Sequence, residues 1–168
     1  MFFRPRLMAS LHAVPLPLVQ GVSAFLLRQI LERHSGLLDR LGAFKETRFA
    51  FVPTDLPFCF LVDPARTTIK AFRKRHTIAA DATVEGPLAL LLALAEGRVD
   101  GDAVFFSRRL TVTGDMESVL ALRNALDDCD IDVTEMIAKA AGPLRPMLKS
   151  LMVSLRKQAL TSEGLSWN

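Results

Sequence analysis

At 168 residues the chain is one domain-sized unit, long enough for a sizeable core with room for a short extension at either end. Half of it is hydrophobic and its mean hydropathy is +0.27, yet no stretch supplies the roughly 18 uninterrupted apolar residues of a membrane span, so it reads as soluble with a greasy interior or as peripheral to a membrane. A formal charge of +3 with a pI near 9.2 suits an anionic surface but falls well short of a dedicated nucleic-acid binder.

Residues 1–17 read as an N-terminal arm that fixes no fold. Arg4 and Arg6 ahead of the apolar run Leu7 to Val19 have the outline of a signal or transit peptide, but Pro15 and Pro17 interrupt it, and His12 and Gln20 dilute it. From Leu18 to His34, Val19, Val22, Leu26 and Ile30 recur at helical spacing against Arg28, Glu32 and Arg33. Gly36 and Gly42 then punctuate a second short helical piece, Leu37 to Leu41.

After Phe44 the period shortens. Strands are expected at Thr47–Val52, Phe58–Val62 and Thr67–Phe72, separated by the turn compositions Pro53-Thr-Asp-Leu-Pro57 and Asp63-Pro-Ala-Arg66. His76 to Val84 alternates Ile78, Ala80, Ala82 and Val84 with Thr77, Ala79, Asp81 and Thr83, and is expected as a fourth. Gly86-Pro87 opens a helix with proline at its first position, and Glu96-Gly97 closes it. Leu88, Leu90, Leu91, Leu92 and Leu94 leave that helix no polar side, which suits a central core helix, a wall of a lipid cavity, or both.

Phe105 and Phe106 lead, by a short turn or helix, into a fifth strand, Arg108 to Thr113, with Leu110 and Val112 on one face and Arg109, Thr111 and Thr113 on the other. Gly114 breaks it. Asp115 is a good N-cap, and Met116, Val119, Leu120, Leu122 and Leu126 supply the apolar stripe of the helix it starts. Arg123 falls inside that stripe. Three readings stay open for it: snorkelling to the rim, pairing with a protein carboxylate, or reaching the polar end of a ligand.

Asp127-Asp-Cys-Asp-Ile-Asp132 invites a calcium reading that fails on spacing, with Val133 and Lys139 where the glycine and the bidentate glutamate belong, so a solvated loop is expected. Val133, Met136 and Ile137 begin C-terminal amphipathic helices over residues 131–160. Their second segment sets Leu144, Met147, Leu148, Leu151, Met152 and Leu155 against Arg145, Lys149, Arg156 and Lys157. This is the pattern of an interfacial helix or of an ordinary docked one with a solvated basic face. Residues 161–168 read as a disordered tail, in which Trp167 has the character of a membrane toe-hold.

Cys59 reads as a small core hydrophobe, and Cys59 and Cys129 make no redox or metal spacing. His12, His34 and His76 lie in separate segments without a nucleophile or carboxylate in a recognised arrangement. No nucleophile elbow, phosphate loop, dinucleotide fingerprint or zinc spacing is present, so nothing positive argues for an enzyme, a metal or a cofactor.

The order helix, strands, all-apolar helix, strand, helix resembles the sterol-carrier-protein type 2 family, an α+β fold in which helices cover a five-stranded, mainly antiparallel sheet around a hydrophobic tunnel. Residues 18–130 carry the resemblance. Within the family, Phe105-Phe-Ser-Arg-Arg-Leu-Thr-Val-Thr-Gly-Asp115 and the helix after it are similar to the UbiT accessory factors of oxygen-independent ubiquinone biosynthesis. That resemblance implies a bacterial, cytoplasmic protein peripheral to the inner membrane, which binds isoprenoid quinones or their precursors and presents them to UbiU and UbiV-like partners. Moving ten buried methylenes through water would cost about 8 kcal/mol, so such a cargo needs a bilayer or a greasy cavity.

Leu91, Leu94, Phe105, Phe106, Leu110, Val112, Met116 and Leu120 are the expected cavity lining, Arg123 the approach to the polar head, and Lys149, Arg156 and Lys157 the membrane contacts. The alternatives are an interaction scaffold whose interior is filled by its own side chains, and the sterol or acyl-lipid carriage of the broader fold.

Overall fold

The computed structural model describes residues 14–75, 77–96 and 109–140. Helix α1 (Leu16–Arg33) is followed by a single turn of helix, α2 (Leu37–Arg40), and a 3-10 segment, Gly42–Glu46. Strands β1 (Phe49–Pro53), β2 (Phe58–Asp63), β3 (Thr68–Arg73) and β4 (Ala82–Gly86) come next. Helix α3 (Leu88–Ala95), strand β5 (Thr111–Gly114), helix α4 (Met116–Asp127) and helix α5 (Val133–Ala140) complete the described chain.

The strands form one sheet in the order β3-β2-β1-β4-β5. Three of its four joints are antiparallel; β1 and β4 run parallel, Phe49 opposite Ala82 and Phe51 opposite Val84. This is the expected α+β class with a mainly antiparallel five-stranded sheet. Residues opposite each other share a face. One face therefore carries Phe49, Phe51, Val62, Ala82, Val84 and Val112, and helices α3 and α4 cover it through Leu90, Leu91, Leu94 and Val119. A second apolar cluster joins α2, α4 and α5 through Leu37, Leu41, Ala125, Ile131, Val133 and Met136, with Leu26 and Ile30 of α1 packed against it.

Several expected boundaries move. β4 begins at Ala82, not His76, because its ladder with β1 begins at the Phe49–Ala82 pair and Asp81 is already held by Arg48; His76 itself lies outside the described residues. Thr67 adopts φ +53° in the β2–β3 turn, so β3 starts one residue later than expected. β5 begins at Thr111 instead of Arg108. Pro87 is the N-cap of α3 and not its first helical residue, and the Asp55 carboxylate accepts a hydrogen bond from Leu88 N at 2.9 Å.

α1 begins at Leu16, two residues early, and its packing stripe is rotated from the expected one: Val22 is 38% exposed, while Leu26, Ile30 and Leu31 face the second cluster. The acidic loop after α4 is only half solvated. Asp128 and Asp130 are exposed, but Cys129 and Ile131 between them are buried, and the Asp132 carboxylate accepts from Glu135 N at 2.8 Å to start α5.

Candidate functional site

The site expected from the sequence divides into four parts. Leu91, Leu94 and Leu110 come together in the buried cluster under α3 and α4, with Val112 half-buried against it. Gly86 makes room for this, since a Cβ there would collide with the Leu110 side chain and with Arg109 O. The alternation of Leu110 and Val112 against exposed Thr111 and Thr113 is as expected.

Met116 and Leu120 are not in that cluster; they lie one above the other on the outer side of α4, 50% and 42% exposed. The helix itself forms as expected, because Asp115 accepts hydrogen bonds from Glu117 N and Ser118 N, at 3.1 and 3.2 Å. Its buried side runs through Ser118, Val119 and Ala125, with the Ser118 hydroxyl donating to Asp115 O at 2.8 Å. Val119, Leu122 and Leu126 of the expected stripe pack inward, and only its Met116–Leu120 edge is left outside.

Arg123 continues the Met116–Leu120 row at i+7 but is much less open, with 17% of its side chain exposed. Its Nε stands 3.5 Å from the Asp127 carboxylate one turn on. Of the three readings of this arginine, the described contact is the one with a protein carboxylate.

Phe105, Phe106, Lys149, Arg156 and Lys157 lie outside the described residues, as do His12 and the C-terminal segment after Ala140.

Two further polar features were not legible in the sequence. Glu96, read only as a helix-closing residue, is buried at 5% exposure at the end of α3. Gln20, read as a dilution of an apolar run, places its amide along the outer edge of β3, donating to Ile69 O at 2.8 Å and accepting from Ala71 N at 2.7 Å. A side-chain amide has the same donor and acceptor pair as a peptide group, so Gln20 completes the ladder of an edge strand.

Cys59 and Cys129 are both buried and free. Burial pushes the Cys59 thiol upward, opposed only by the nearby Lys74 charge, which keeps it protonated at neutral pH. Among the described residues no group of three or more His, Cys, Asp or Glu side chains is placed to hold a metal ion, and no helix is long and apolar enough to cross a membrane. What the described arrangement offers is apolar contact, from leucines of α3 and strand residues of β1, β4 and β5, with an arginine–aspartate pair elsewhere on α4.

A profile of the SCP-2 sterol transfer family matches residues 27–127. Comparison with curated protein sequences returns no significant match. Among solved structures, a protein described as UbiJ-SCP2, a ubiquinone synthesis protein, superposes with a TM-score of 0.56 at 20% identity, covering 71% of this chain and 98% of that one. Apo sterol carrier protein 2 from Yarrowia lipolytica gives 0.47 at 12% identity, covering 68% and 94%. Sterol carrier protein-2 from Aedes aegypti, in complex with palmitate, gives 0.43 at 16% identity, covering 56% and 91%.

Proposed function

The chain belongs to the SCP-2 sterol transfer family, and we propose that it is a non-enzymatic lipid-binding factor that carries isoprenoid quinones or their prenylated precursors for ubiquinone biosynthesis. The observation that carries this reading is the family match over residues 27–127, which spans the leucine helix α3, β5 and α4. The likeness of fold to a ubiquinone synthesis protein supports the choice of cargo, and the Phe105-Phe-Ser-Arg-Arg-Leu motif supports the narrower UbiT-like reading. UbiU and UbiV-like hydroxylating proteins are the receiving partners in this proposal, at the cytoplasmic face of the inner membrane.

In this reading Leu91, Leu94, Leu110 and Val112 line the lipid site together with Phe105 and Phe106, and Met116 and Leu120 stand at its mouth. A prenyl chain is recognised there by burial alone, at about 25 cal/mol per Å² of apolar surface removed from water. Arg123, already set against Asp127, would meet the polar head ring. Lys149, Arg156 and Lys157 would hold the protein to anionic lipid.

Solvent extraction of the purified full chain, followed by mass spectrometry, tests this directly: recovery of quinone or another prenyl lipid is expected. Leu91→Asp should abolish that recovery, whereas reversing charge at Lys149, Arg156 and Lys157 should mainly weaken binding to anionic vesicles. Identical effects from both would undo the division of roles, and recovery of sterol or acyl lipid would change the cargo. A second reading, a scaffold filled by its own side chains, draws on the tight burial of Phe49, Val84 and Leu90, each at 1% exposure or less. A reproducibly empty protein would select it.

A further inference from the structure

Leu18, Val22 and Phe25 follow one another at i, i+4 and i+7 along α1 and are 59%, 38% and 43% exposed. Between Val14 and Leu27 the sequence contains no charged residue, so this half of the helix turns an uncharged apolar row outward. At 100° per residue the row lies about a quarter turn from Leu26 and Ile30, which join the cluster containing Val133 and Met136 of α5. The row therefore flanks the seam where α5 packs on α1.

The described chain ends on that seam, at Ala140, the last residue of α5. The sequence continues with Ala141-Gly-Pro143 and then Leu144, Met147, Leu148, Leu151 and Leu155, apolar positions at helical spacing. As a helix, Leu144 to Leu155 would extend about 18 Å, more than the roughly 10 Å from Leu18 to Phe25. A three-residue link containing Gly-Pro is of the length that joins antiparallel neighbouring helices. Turned inward, these leucines leave Arg145, Lys149 and Arg156 to solvent, and the uncharged row of α1 offers them neither attraction nor repulsion.

We propose that the segment Leu144–Leu155 of this same chain docks along the Leu18–Val22–Phe25 row of α1 and covers it. The exposed pair Met116 and Leu120 on α4 is a poorer seat, since α5 delivers the chain to α1. The inference is independent of what lipid the protein carries.

Trypsin reads the docking in the full chain, because the segment carries a cleavage site at Lys149 and is followed directly by two more at Arg156 and Lys157, whereas Pro146 blocks cleavage after Arg145. Val22→Ser with Phe25→Ser, both at exposed positions distant in sequence from those sites, should speed cleavage there by about tenfold or more, as expected when a protected segment is released. Reciprocally, Leu148→Ser with Leu151→Ser should raise amide exchange over residues 18–25 by a similar factor. Unchanged cleavage and unchanged exchange would overturn the proposal. So would a cleavage rate that changes only with dilution from dimer to monomer, which assigns the row to a second copy. Loss of vesicle binding in Val22→Ser/Phe25→Ser without faster cleavage would likewise overturn it, in favour of lipid.

Discussion

A Cβ on Gly114 would collide with Asp81 O and crowd the Ala82 backbone, and the residue's φ of +89° lies where L side chains are strained. The close approach is structural, because Gly114 pairs with Ala82 in the sheet while Asp115 N donates to Asp81 O at 3.0 Å, turning β5 straight into α4. Gly114→Ala should therefore destabilise the fold by about 2–4 kcal/mol, measured as a lowered urea midpoint with unchanged slope. Asp81 also ties this corner to β1: its carboxylate accepts from Arg48 N at 2.8 Å and from Arg48 Nε at 3.4 Å, and these bonds hold its pKa below the usual carboxylate value. A carboxyl depressed in the folded state adds stability that is complete above its unfolded pKa, near 3.9, and is lost as pH falls through the lower folded value. Urea midpoints of the wild type and Asp81→Asn should accordingly differ at pH 7 and converge only as the pH falls below the unfolded carboxylate value; a gap constant with pH would remove Asp81 from the acid response.

Among the elements, helix α3 shows what a one-dimensional pattern reveals and what it withholds. Its five leucines announced burial, and Leu90, Leu91, Ala93 and Leu94 are buried. Its start at Gly86-Pro87 was legible to within one residue, but the carboxylate that accepts from Leu88 N was not, since Asp55 lies 33 positions earlier in the β1–β2 turn and no local rule reaches that far. The same contrast recurs at α4. Asp115 was readable as a cap because an N-cap is a contact within three residues. Exposure of Met116 and Leu120 was not readable, because which apolar residues face inward depends on the angle at which α4 crosses the sheet. The alternation His76–Val84 misled for a related reason: a strand needs a partner, and β1 supplies none before Phe49. Asp55→Ala should cost about 1 kcal/mol through loss of the α3 cap, with faster amide exchange confined to the first turn of α3 as its signature.

At the scale of the molecule, β3 forms one margin of the sheet, and α1 lies against it with Gln20 bonded to both Ile69 O and Ala71 N. An open margin invites pairing with another chain. Gln20→Ala should lower stability by about 1–3 kcal/mol for the two hydrogen bonds and introduce concentration-dependent association, visible by light scattering. Stability loss without association would mean that the body of α1, not its amide, shields the margin. The general architecture, from the number of strands to the buried leucine helix, followed from periodicity and turn composition. The long-range pieces, Gln20 on β3, Asp55 on α3 and Arg48 on Asp81, required the folded chain.

The parallel joint between β1 and β4 also sets an order of assembly. β1, β2 and β3 are successive hairpin neighbours within Phe49–Arg73 and can pair as soon as that stretch is free. β4 must instead return to β1 across an intervening pair of strands, and β5 touches only β4. During synthesis, three strands of the sheet can thus pair before β4 and the leucines of α3 emerge. Among the described helices, the one with no polar side is made only after most of the face it covers.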